Sequence, residues 1–180
     1  MTKDAIMNWR RSVGEEKANE ISRQASSRGT RVHQLCEDYL NNAPIDPDKY
    51  TLNDAINFEK LKQELDNNLD NIRLQETRMY SDFLKMAGTV DCIADWDGKL
   101  SVIDFKTARK RKERDYIEHY FCQATAYAIM YEELFGVPIT RLVIAISVDD
   151  DDPQIFLSKR DSHVDKLLEV REKYKLQTGV

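Results

Sequence analysis

Two aspartates and a lysine lie where a tight hairpin would bring them together. Residues 88–96 and 99–106 read as strands, and Asp97-Gly98 between them is a strong signal for a two-residue hairpin loop. With that loop Trp96 pairs with Lys99, and counting back from the turn sets Asp91 opposite Asp104 and Thr89 opposite Lys106. Side chains alternate along a strand, so Asp104 and Lys106 share a face, and Asp91 shares it with them. Directly opposed Cβ atoms lie about 5 Å apart. The neighbours Val90, Cys92, Ile93, Ala94, Trp96, Leu100, Val102, Ile103 and Phe105 are apolar on both faces, as in a sheet covered on both sides. Two like charges opposed in such a place destabilise the fold. A divalent cation between them removes the conflict, and hard oxygen ligands suit Mg²⁺ or Mn²⁺. Lys106 would then stabilise a phosphate or a developing oxyanion. The plainer alternative is an ordinary ion pair of Lys106 with one aspartate at a strand end, and a bulge would undo the opposition altogether.

Two further pairs have helical spacing. His33 and Glu37 are one turn apart and would share a helix face; imidazole and carboxylate are both metal ligands, though a surface pair reads as well. Gln123 and Tyr127 repeat the spacing on the helix after the Asp-x-Lys strand, where a hydrogen bond along one face is the simple reading. Glu76 and Arg78 read as solvated strand residues.

These residues need elements to position them. Residues 3–25 read as a polar helical segment whose continuity Gly14 puts in doubt. Ser26-Ser27-Arg28-Gly29-Thr30 then leads, with Thr30 as N-cap, into a helix over residues 31–40 whose apolar stripe is Val32, Leu35, Cys36 and Tyr39. Pro44 and Pro47 follow, then a helix over residues 53–69. Strands are expected over residues 72–84, 88–96 and 99–106, a long helix over 115–135 ending at Gly136-Val137-Pro138, strands over 139–148 and 154–157, and a helix over 159–175. The whole is one α/β or α+β domain over residues 1–180: a helical N-terminal part (1–70), a mixed central sheet flanked by helices (71–157) and a C-terminal helix (158–180).

Composition narrows the class. The chain has 180 residues, 41% of them hydrophobic and 33% charged, as expected of a soluble folded domain. No run approaches the ~18 apolar residues of a membrane helix, and the N-terminus lacks a signal-peptide core, so an intracellular, soluble protein is expected. Cys36, Cys92 and Cys122 form no C-x-x-C and read as buried thiols; an iron–sulfur cluster, which takes four, is not expected. The net charge is −5, yet residues 1–33 carry +3, and a second basic cluster (Arg109, Lys110, Arg111, Lys112, Arg114) follows the central motif. Trp9 and Tyr116 lie in these basic stretches and could stack on exposed bases, with ordinary packing as the alternative. The acidic run from Asp149 to Asp152 reads as a solvated turn.

Four motifs, Arg28-Gly29-Thr30-Arg31-Val32-His33 with Glu37, Gly88-Thr89-Val90-Asp91, Ile103-Asp104-Phe105-Lys106-Thr107 and Gln123-Ala124-Thr125-Ala126-Tyr127, stand in an order that resembles the PD-(D/E)XK nuclease superfamily. The Q-x-x-x-Y element resembles its RecB-like branch, nearest to the exonucleases of phages and of mitochondrial genome maintenance. The resemblance spans residues 8–148 and departs formally where Val90 stands for the motif proline. It implies a restriction-endonuclease-like core and one or two Mg²⁺ or Mn²⁺ ions held by Asp91, Asp104, the Phe105 carbonyl and His33. It further implies that Lys106 orients the attacking water, that Glu37 and Thr107 support the ligands, and that Gln123 and Tyr127 orient the site. Arg28, Arg31, Arg109, Lys110, Arg111 and Lys112 would meet the nucleic-acid backbone. The implied activity is a DNA exonuclease preferring single strands or ends, with replication or recombination proteins as partners and the host cytoplasm as its place if phage-encoded. A structure-selective endonuclease and a non-catalytic nucleic-acid-binding subunit are the alternatives.

Overall fold

The computed structural model describes residues 3–179. Helices α1 (Lys3–Val13), α2 (Glu15–Leu40) and α3 (Leu52–Asn68) precede strands β1 (Leu69–Ser81), β2 (Met86–Trp96) and β3 (Lys99–Ala108). Helix α4 (Glu118–Phe135), strands β4 (Arg141–Val148) and β5 (Gln154–Lys159) and helix α5 (Val164–Thr178) complete the order. The five strands form one sheet in sequence order. β1, β2 and β3 pair antiparallel, β3 and β4 parallel, and β4 and β5 antiparallel. The single parallel pair needs a crossover, which α4 supplies. This is the mixed α+β sheet expected from the order of elements.

Apolar residues on both faces of the strands have separate partners. On one face Val90, Ile93, Val102, Ile144 and Ile146 pack with Phe121 and Met130 of α4 and Leu167 of α5. On the other, Cys92, Ala94, Trp96, Ile103 and Phe105 pack with Val32 and Leu35 of α2 and Phe58, Leu61 and Leu65 of α3. Asp97 and Gly98 both take positive φ (47° and 67°), as a two-residue mirror-image turn requires. α4 stops at Gly136, which adopts the left-handed conformation. No helix among the described residues is long and apolar enough to cross a membrane. Cys36, Cys92 and Cys122 are free and buried, and burial pushes the Cys92 thiol up to about 12.

Two helix starts differ from expectation. Thr30 is no N-cap: α2 runs unbroken through Ser26-Ser27-Arg28-Gly29-Thr30, and the Thr30 hydroxyl donates back to the Ser26 carbonyl (3.2 Å), a bond made inside a helix. The helix breaks instead at Gly14 (φ 85°). α5 begins at Val164, five residues late, because β5 continues to Lys159 and buried His163 is pinned at the helix start between Ser158 and Glu118 (both 2.7 Å).

Candidate functional site

β3 alternates cleanly. Val102 and Ala108 face α4 while Ile103 and Phe105 face α2 and α3, which places Asp104 and Lys106 on the α4 side. Asp104 is 1% exposed and its Oδ2 lies 2.6 Å from Lys106 Nζ. Neither Asp104 oxygen has a hydrogen bond of good geometry among the described residues. Burial pushes the Asp104 carboxyl up to about 7; the Lys106 ammonium opposes this and the Asp91 carboxylate adds to it. The Lys106 ammonium also lies 5.3 Å from the centre of the Tyr120 ring.

β2 does not alternate cleanly. Val90 joins the α4 side and Cys92 the α2 side, so the two-residue period is broken around Asp91. The expected β2–β3 register holds from Trp96–Lys99 to Cys92–Ile103 and the ladder ends there. Asp91 is therefore not a ladder partner of Asp104; its Oδ2 accepts the Phe105 N–H at 2.8 Å, in place of a main-chain carbonyl. The Asp91 Oδ1 lies 3.7 Å from His33 Nδ1, and His33 Nε2 lies 2.6 Å from the Phe105 carbonyl oxygen. With the proton on Nε2 donated to that carbonyl, the Nδ1 lone pair faces a carboxylate oxygen. Two acceptors then confront each other, an arrangement a cation reconciles.

Glu76 completes this cluster. Ligand atoms of His33, Glu76 and Asp91 all lie within 4.8 Å of one another. In the β1–β2 register Gln75 pairs with Cys92 and Thr77 with Val90, leaving Glu76 across from Asp91. Glu76 has φ 43°, a left-handed conformation uncommon for a residue with a Cβ. Partial desolvation, with the Asp91 and Glu37 carboxylates nearby, pushes its carboxyl up to about 7. Glu76 was read as a solvated strand residue. The β1–β2 turn carries no Asn-Gly or Asp-Gly to set its register, so only the repeated φ-positive and two-strand geometry reveals the placement. A cavity of about 370 Å³ lined by Gly29, Thr30, His33, Gln34, Glu37 and Glu76 opens over the cluster. Glu37 borders it and accepts a 3.3 Å bond from Gln34.

The remaining motif residues pack around this fork. Gln123 donates to the Tyr127 hydroxyl at 3.2 Å. The Tyr127 ring lies against Gly88, where an added Cβ would come within 2.9 Å of Cε1 and 3.0 Å of the hydroxyl, so Gly88 is required by this close approach. Burial is the main cause raising the Tyr127 hydroxyl, and Asp104 and Asp91 both add to it. Thr107 lies beside α2, its Oγ1 3.8 Å from where a Gly29 Cβ would stand.

Arg28 and Arg31 each have an acidic partner. Arg28 pairs with Asp149 at 2.6 Å and Arg31 with buried Asp54 at 2.6 Å. Asp149 also accepts from Asn57 (3.3 Å), Lys60 reaches Asp152 (3.7 Å) and Arg111 reaches Asp151 (3.3 Å). The acidic run thus ties α2, α3 and the loop before α4 to the β4–β5 turn, rather than being solvated alone. Arg109, Lys110, Arg111 and Lys112 are all exposed.

The chain is 25% identical over 167 residues to the human mitochondrial genome maintenance exonuclease 1, covering 85% of this chain and 47% of that protein, so it spans about half the relative's length. A solved structure of an exonuclease-named protein from Eubacterium rectale superposes with a TM-score of 0.57 at 10% identity, over 83% of this chain and 65% of the other, a likeness of fold. The PD-(D/E)XK nuclease superfamily model matches residues 8–173, taking in the strand fork, both helical pairs and the flanking elements, and the chain therefore belongs to that superfamily.

Proposed function

We propose that the chain is a divalent-metal-dependent DNA exonuclease whose centre is the fork between β2 and β3. The observation that carries this reading is the convergence of His33, Glu76 and Asp91 ligand atoms within 4.8 Å beside the buried Asp104–Lys106 pair. The residues fit a hard cation. Asp104 is buried with neither oxygen properly hydrogen-bonded, and His33 and Asp91 turn acceptors toward each other. Asp91, Asp104, His33 and the Phe105 carbonyl would hold Mg²⁺ or Mn²⁺, with Glu76 added to that set. When bound, the ion neutralises the phosphate and lowers the pKa of the attacking water.

The chain's own groups divide the rest of the work. Lys106, held by Asp104 and stacked over Tyr120, keeps an ammonium beside the reacting phosphate and stabilises the charge that grows on it. Glu76, at the cavity mouth, adds a carboxylate to the ligands that His33 and Asp91 offer. Glu37 lies at the border of the cavity, one helical turn from His33, and adds negative charge that favours a cation there. Gln123 and Tyr127 lock the β2 strand at Gly88 and so keep Asp91 in place. Exposed Arg109, Lys110, Arg111 and Lys112 would steer the phosphate backbone, which makes the rate fall as salt rises. The exonuclease-named relatives support digestion from ends over internal cutting.

The test is a digestion series at low salt with Mg²⁺, Mn²⁺ or EDTA on end-labelled linear single strands, linear duplex and circular single strands. Metal-dependent loss of the linear substrates alone is expected, with Asp104→Asn inactive. Cutting of circles would make the enzyme an endonuclease. Wild-type protein that binds DNA but cuts nothing would make it a binding subunit.

A further inference from the structure

A cavity of about 920 Å³ lies beside this fork. Its apolar lining includes Met86 of β2, Ala126 and Met130 of α4, and Leu167 and Val170 of α5. Gln123 and Tyr127 line this cavity, and the Tyr127 ring packs on Gly88 within reach of the Asp104 and Asp91 charges, so the cavity borders the candidate site. From Lys106 the route into it is aromatic: the ammonium sits over Tyr120, whose ring centre is 4.1 Å from that of His119, and His119 lines the cavity. Tyr116 stands at its border and is 71% exposed.

Resting on the nuclease reading above, we propose that this cavity takes an unpaired nucleobase of the strand being cut, and so selects single-stranded DNA. A base offers two apolar faces and a polar edge. A mostly apolar space with a few polar groups, here the Gln123 amide and the Tyr127 hydroxyl, matches that chemistry. The charged lining residues Asp115, Glu118 and Lys166 leave the cavity net negative, which disfavours a phosphate inside it. The base, not the backbone, is therefore the part of a nucleotide that suits the cavity. A base held in a duplex is stacked and paired and must leave the helix to enter such a space. Exposed Tyr116 is placed to stack on the incoming base.

The test is equilibrium binding, read by fluorescence anisotropy with Mg²⁺ present, in an Asp104→Asn background that leaves DNA uncut. The probes are a labelled single-stranded oligodeoxynucleotide and an abasic strand of the same length. The base-bearing strand is expected to bind about tenfold more tightly, as loss of one stacked base implies. Val170→Trp, which fills the cavity from the surface of α5, and Tyr116→Ala, on an exposed turn, are each expected to shrink that gap to about twofold or less. Affinity for the abasic strand should stay unchanged and serves as the check on folding. Equal affinity for both strands, or a full gap retained in both variants, overturns the proposal. So does a hydrophobic dye that occupies the cavity and is not displaced by saturating oligonucleotide, which would point to an apolar partner. The nuclease reading fails separately, by absence of metal-dependent cleavage in the unsubstituted protein.

Discussion

Two acidic regions of this molecule use the same residue types to opposite ends. Around Asp54 and the Asp149–Asp152 turn, carboxylates meet Arg28, Arg31, Lys60 and Arg111. Asp54 shows the outcome: burial alone would raise its carboxyl, but the Arg31 and Thr51 bonds outweigh this and hold it below the usual carboxylate range. At the β2–β3 fork, Asp91, Asp104 and Glu76 share one lysine and one histidine, and burial pushes Asp104 and Glu76 up to about 7. The first region pairs Asp54, Asp149, Asp151 and Asp152 with cations and ties helices to the sheet. The second keeps a conflict that only a cation or protons relieve. Perturbed carboxylates of the second kind mark functional sites.

The sharpest way to break the contrast is to remove one charge from each region. Asp104→Asn or Lys106→Ala should lower the cleavage rate by at least about 10²–10³-fold, since a charge that stabilises the transition state is lost. The melting temperature should hold or rise in Asp104→Asn, because a crowded carboxylate disappears; wild-type rates at equal purity would end the assignment. Arg31→Ala should do the reverse. It leaves Asp54 buried without its cation and should cost about 3 kcal/mol in urea unfolding, with cleavage per folded molecule unchanged. Gly88→Ala should lie between, at about 1–3 kcal/mol with a lower rate, because the Tyr127 ring must move from β2.

The pH dependence sharpens the comparison further. The Asp104 and Glu76 carboxyls titrate higher folded than unfolded, so their protonated forms favour the fold below about pH 4, and that contribution is lost as pH rises to about 7. Asp54, held low, contributes in the opposite sense: its share is present above the ordinary carboxylate pKa and is lost in acid. Metal-free protein should therefore lose melting temperature between pH 5 and 8, an effect that Arg31→Ala leaves in place. Mg²⁺ or Mn²⁺ should restore the loss, and more strongly at pH 8 than at pH 5, because protons compete with the ion. A melting temperature flat across that range without metal would remove the conflict inferred at the fork. The smallest effect is expected from Tyr120→Leu, which removes a cation–π contact of about 0.5–1 kcal/mol over Lys106 and should shift the rate only a few-fold.

Much of this was legible in the chain. The Asp97-Gly98 turn set the register of β2 against β3 as far as Cys92–Ile103, because a two-residue loop leaves one pairing open. Apolar residues on both faces of those strands foretold helices on both sides, and the alternation of β3 put Asp104 beside Lys106. His33, Gln123 and Tyr127 stood out by helical spacing and by family likeness. Only the tertiary structure decided which charges were free. Arg28 reaches an aspartate 121 residues away and Arg31 one 23 residues away, distances over which local patterning carries no information. Likewise the left-handed backbone at Glu76 and the broken alternation at Asp91 bring a third acid to His33, and each depends on how β1, β2 and α2 pack. The local sequence determined which elements form and which side chains share a face; long-range packing decided which acids are neutralised and which are left to hold a cation.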